Sequence, residues 1–193
     1  MTFGVIMKKN EYPTYAKLIH LGLALFGIAA YLTSEFADDD VTSIGYLLHS
    51  YLGLSVATFI ILRLGVGVAT QGKLSFKNWS PFSIKQWQLS LNDFRSLLSL
   101  KIPERDTHQG LSGVTQAFGL LIFTWMSLTG ITLFMLGSDT ESKAFEFIEE
   151  IHEVGETLIP LYLCLHVGAV ALHMLCGKPI WKKMFKLRSD KCD

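Results

Sequence analysis

Apolar residues along this chain do not alternate with polar ones. They run in four blocks, about 15–33, 47–69, 111–136 and 148–176, separated by polar and charged connections. Each block has about twenty residues or more, and ~20 helical residues rising ~1.5 Å each cross a ~30 Å hydrocarbon layer. Arg63 stands out among the few formal charges inside them. The pattern predicts an all-α integral membrane protein, a four-helix transmembrane bundle forming a single domain over residues 1–193. The long connection 70–110 has a pattern of its own. Ile84, Trp87, Leu91, Phe94 and Leu98 recur at helical spacing with Lys85, Asn92, Asp93 and Arg95 between them, and Pro81 and Pro103 punctuate the ends. This spacing predicts an amphipathic helix, lying on the membrane interface or capping the bundle. The tail 177–193, with Trp181, Lys182, Lys183, Phe185, Lys186 and Arg188, reads as a basic aromatic anchor.

Composition supports this reading, since half of the 193 residues are hydrophobic and thirteen are Phe. Charge adds a direction. Net charge is zero, yet fifteen of the seventeen Lys and Arg lie in the N-terminal arm, in 70–110 and after Cys176. The two remaining connections, taken with the first turns of the fourth block, hold Lys143 alone among the basic residues, but eleven of the seventeen acids. The positive-inside rule then places both termini and loop 70–110 in the cytoplasm and the acidic connections outside. A cleaved signal peptide is the competing reading of the N-terminus. Against it, the first block is longer than an h-region and ends in Glu35-Phe36-Ala37-Asp38-Asp39-Asp40, without a small-residue cleavage site. None of Cys164, Cys176 and Cys192 belongs to a Cys-x-x-Cys-His run, which excludes covalent c-type haem. With Cys164 in the membrane and the other two toward the reducing side, structural disulfides are not expected. The lipid bilayer is an expected partner and nucleic acid is not.

Four histidines occupy these apolar blocks, where an ionisable side chain is costly and marks a functional site by default. His20 begins the first block at the cytoplasmic side, and His49 begins the second at the outer side. His152 lies at the outer side of the fourth block. His166 follows fourteen residues later, ~21 Å further in and close to four helical turns on, so both project from one face. Depth pairs His49 with His152 and His20 with His166. Two bis-histidine haem irons fit such pairs, since haem needs two axial ligands and its ring supplies the rest. Hydrogen-bonded core histidines are the bland alternative. A bare zinc site is underfilled by two imidazoles without a carboxylate at depth. Arg63 would meet a propionate of the inner haem, or simply snorkel to the interface. His173, seven residues past His166, would contact a propionate, serve a quinone site or compete with His166. His108 stands at the mouth of the third helix. Gly22, Gly53, Gly113, Gly119, Gly130 and Gly168 would admit a flat ring or allow close helix packing.

Several runs together resemble the bacterial cytochrome b561 family and its relatives that serve as cytochrome b subunits of nickel-iron hydrogenases. They are Ile19-His20, then Leu48-His49-Ser50-Tyr51-Leu52-Gly53 with Arg63, then His108-Gln109-Gly110-Leu111-Ser112-Gly113 and Thr129-Gly130, and finally Ile151-His152-Glu153 and Leu165-His166-Val167. The His108 run departs from the family's commoner His-Asn-Pro-Leu-Gly. The resemblance implies two haem b groups in a bacterial inner membrane protein of the respiratory chain, exchanging electrons between quinone and a partner.

Three roles are open at this point. The first is a quinone-linked carrier whose acidic outer face (Glu35, Asp38–Asp40, Asp139, Glu141, Glu146, Glu149, Glu150) suits a basic periplasmic redox protein such as a c-type cytochrome, with a hydrogenase-like enzyme as the other partner in view. The second is a superoxide oxidase reducing quinone, which that face disfavours because superoxide is an anion. The third is a haem-free transporter or anchor.

Overall fold

The computed structural model describes residues 12–37, 40–80, 83–99, 101–103, 109–137, 142–178 and 180–185. The four apolar blocks form the long helices α1 (Thr14–Thr33), α2 (Ile44–Ala69), α5 (Leu111–Leu136) and α6 (Lys143–Leu175). Shorter helices are α3 (Phe76–Trp79) and α4 (Ile84–Leu98) in the long connection, and α7 (Lys182–Phe185) after α6. No strand occurs among the described residues, and all four long helices are long and apolar enough to cross a membrane.

Helices α2 and α6 start before the apolar blocks do, because serine caps and not hydrophobicity set their first turns. Ser43 Oγ accepts from the Tyr46 N–H and Ser142 Oγ from the Phe145 N–H. Glu146 in the first turn of α6 adds negative charge where the helix dipole favours it. Ahead of α2, Asp40 accepts from the Thr42 N–H and hydroxyl, and these bonds hold its carboxyl below the usual range. Pro160 lies inside α6 and has no N–H for the Glu156 carbonyl, yet the helix runs through it.

Packing is chain-like: α1 on α2, α2 on α5 and α5 on α6, with no comparable backbone packing of α6 on α1 or α2. Glycine allows one of the close approaches, since a Cβ on Gly22 would stand 2.5 Å from the Phe59 ring. Large apolar side chains such as Leu25, Ile61 and Leu121 face outward at 62%, 65% and 64% exposure. A helix surrounded by lipid has no drive to bury such residues against protein.

Helix α4 packs with its polar face inward. Gln86, Ser90 and Asp93 are buried, whereas Ile84, Trp87, Leu91, Phe94 and Leu98 are exposed. Gln86 Oε1 accepts from the Gly110 N–H and Asp93 Oδ2 from the Leu111 N–H, each at 3.0 Å. These side chains satisfy donors at the start of α5 that have no partner within their own helix. Gly110 reaches this position with φ of 65°, a conformation open to glycine at little cost. The polar residues of this segment meet α5, and its apolar stripe turns away from the bundle. Cys164 and Cys176 are free thiols. Asp38, Asp39, Asp139, Glu141, Pro81, His108, Cys192 and the tail from Lys186 onward lie outside the described residues.

Candidate functional site

The incomplete packing of α6 leaves a slot whose opposite walls carry histidines. His20 on α1 and His49 on α2 form one wall, and His152 and His166 on α6 form the other. The ring centroids of His49 and His152 stand 6.3 Å apart at an interplanar angle of 89°. Those of His20 and His166 stand 6.1 Å apart at 43°. The sequence pairing by depth is the pairing found in space. Between the first pair the slot opens into a cavity lined by Gly53, Gly130, Glu153 and Glu156 as well as both rings.

Hydrogen bonds orient both rings at this level. His49 Nδ1 lies 3.0 Å from the Ala30 carbonyl oxygen, so Nδ1 carries the proton and Nε2 keeps its lone pair. Thr129 Oγ1 lies 2.7 Å from His152 Nδ1, and also 3.0 Å from the Trp125 carbonyl oxygen. A hydroxyl that donates to that carbonyl accepts from His152 Nδ1–H. His152 Nε2 is then free in the same tautomer as His49. Gly130 makes room for the ring: a Cβ there would meet His152 Cε1 at 3.3 Å.

The other pair is set by aromatic contacts. The Tyr162 ring stacks on His166 at 5.5 Å and 21°, and the Phe185 ring meets His20 edge-on at 6.3 Å. Tyr162 in turn occupies the space that a side chain on Gly119 would need. Of the supporting candidates, Arg63 is half-buried with its guanidinium carbon 5.6 Å from both the Phe76 and Trp79 ring centroids. His173 bonds through Nδ1 to the Ala169 carbonyl of its own helix at 2.8 Å.

Two imidazoles holding one metal ion have centroids roughly 6 Å apart, from two metal–nitrogen bonds of about 2 Å and the radius of each ring. The separations of 6.1 and 6.3 Å match that spacing. No group of three or more His, Cys, Asp or Glu that could hold a metal occurs among the described residues, so such an ion would take its other ligands from a cofactor.

A family model described as prokaryotic cytochrome b561 matches residues 11–187. The chain belongs to that family. No curated protein and no solved structure matches it. As a prokaryotic cytochrome b561 it is a multi-pass bacterial membrane protein that binds haem b and takes part in electron transfer. In this cytochrome b561 three residues around the site carried no assigned role in the sequence. Thr129 was visible only as the neighbour of Gly130, although a threonine inside an apolar helix is a hydrogen-bonding group in want of a partner. Tyr162, four residues before His166, had the right spacing to lie over it. Trp79 gave no local signal, because a loop folding back places it beside Arg63.

Proposed function

We propose that this cytochrome b561 carries electrons across the membrane through two haem b groups, between quinone and a redox protein at its acidic face. His49 and His152 would hold one haem, and His20 and His166 the other. The observation that carries this reading is the pair of histidine couples with centroids 6.3 and 6.1 Å apart, offset by the fourteen residues between His152 and His166. A haem b with two imidazole ligands supplies one-electron chemistry at an iron with no open position for oxygen.

The chain's own work is orientation. The Ala30 carbonyl and Thr129 hydroxyl orient two imidazoles, and Tyr162 and Phe185 brace the other two. Charge topology supports an arrangement with both termini and α4 in the cytoplasm and the His49–His152 level near the periplasm. The apolar stripe of α4 would then rest on the inner leaflet, with Arg63 and His173 near the inner haem as propionate or quinone contacts. Glu35, Asp40, Glu146, Glu149 and Glu150 would form the described part of an outer surface suited to a basic partner such as a c-type cytochrome, or to a hydrogenase-like enzyme.

Haem extraction and optical quantification of the purified protein test the reading. The expected result is about two haem b per chain, both reducible by quinol in proteoliposomes. One haem per chain, or a missing b-type absorption band, would overturn it.

A further inference from the structure

Two donors near the cytoplasmic end of α2 are buried and have no acceptor among the described residues. They are Nη1 of Arg63 and Nε1 of Trp79. An unmade bond of this kind costs about 1–3 kcal/mol, more for a charged group, so each orphan calls for a partner. Both groups donate and neither can accept, so the partner must be an acceptor.

The surroundings narrow its chemistry. The Phe76 and Trp79 rings lie near the guanidinium, and their π faces ease the burial of its charge without accepting hydrogen bonds in its plane. Tyr12 is the other ionisable group that feels Arg63. Burial pushes its phenol above the ordinary value, with the Arg63 charge opposing, so at neutral pH it brings no negative charge. No ion pair between Arg63 and an acid occurs among the described residues. The seat is also built in advance. Phe76 fills the space a side chain on Gly67 would need, and the Gln86 amide donates to the Asn78 carbonyl beside Trp79 at 2.9 Å. A cation and a neutral N–H, fixed by aromatic rings and lacking a counter-charge, make a receptor for an oxyanion.

We infer that Arg63 and Trp79 together bind one carboxylate or phosphate oxyanion at the cytoplasmic end of α2. Two sources share this chemistry: a propionate of the inner haem, which rests on the reading above, and the phosphate of an acidic phospholipid, which does not.

The test uses Trp79→Phe, which keeps the ring and removes the donor, and Arg63→Gln, each in the full-length protein in nanodiscs containing phosphatidylglycerol. Haem content and redox titration are read beside native mass spectrometry of retained lipid. If the ligand is the propionate, one of two haem midpoint potentials shifts in both variants and lipid retention matches the parent protein. If it is a lipid phosphate, both midpoints hold and retention of phosphatidylglycerol falls roughly tenfold. Unchanged midpoints together with unchanged lipid retention would overturn the inference, while two haems per chain would leave the electron-transfer reading intact.

Discussion

Thr129 Oγ1 stands 2.7 Å from His152 Nδ1 and 3.0 Å from the Trp125 carbonyl oxygen, so one threonine hydroxyl ties the imidazole to the backbone of α5. Partners of this kind typically change the affinity of a histidine site by about 10–100-fold. Thr129→Val keeps the shape and removes the acceptor. We expect the haem at His49 and His152 to dissociate at least about tenfold faster into an apo-globin acceptor. Thr129→Ser should restore retention. Equal loss rates in parent and Thr129→Val would show that the hydroxyl does not hold the ring.

The histidine couples predict a separable loss of haem. His152→Ala should remove the haem shared with His49 and spare the other, and His166→Ala should do the reverse. Extracted haem then falls from about two per chain to about one, and the two residual spectra differ in band position. Loss of both haems from either variant, with helicity retained by circular dichroism, would mean that the sites are not independent.

Much of this arrangement is legible in the sequence because it follows from one-dimensional facts. Block length gives crossings, and a fourteen-residue interval on one helix gives two levels on one face. From these alone His20 finds His166 and His49 finds His152. What the sequence hides depends on how helices sit against each other. The failure of α6 to pack on α1 and α2, which opens the slot, has no signature in the order of residues. Nor does the partnership of Arg63 with Trp79, sixteen positions on and across a turn. The polar underside of α4 was present in the sequence as Gln86, Ser90 and Asp93. It was overshadowed by the stronger apolar stripe, because amphipathicity shows two faces without showing which one meets protein.

Gly119 tests the bracing of the second couple. Its missing side chain is the space that Tyr162 fills, and Tyr162 stacks on His166. Gly119→Leu forces the phenol ring aside, and overpacking of this kind costs roughly 1–3 kcal/mol. The expected readout is a changed electron paramagnetic resonance signal for the haem at His20 and His166, with the other signal unmoved. Gly53 makes a useful contrast, because a Cβ there meets nothing within 4 Å although the residue lines the other cavity. Gly53→Leu should fold normally and lower occupancy at His49 and His152 alone.

Asp93 connects α4 to the bundle, and its removal separates two ways in which that helix is held. Its carboxylate accepts from the Leu111 N–H, and Gln86 accepts from the adjoining Gly110 N–H. Asp93→Ala leaves the first of these donors, which is part-buried, without its acceptor and withdraws a negative charge from the positive end of the α5 dipole. Lost caps cost about 0.5–2 kcal/mol, and the burial of Asp93 argues for the upper half of that range. Asp93→Asn keeps an accepting oxygen and should cost less. In detergent, thermal unfolding should occur at a lower temperature for Asp93→Ala than for Asp93→Asn, and protease should cut the 70–110 connection faster. In a bilayer the apolar stripe has a second surface to rest on, so the difference in proteolysis should shrink. If α4 is released equally in detergent and bilayer, the stripe contributes nothing at the membrane.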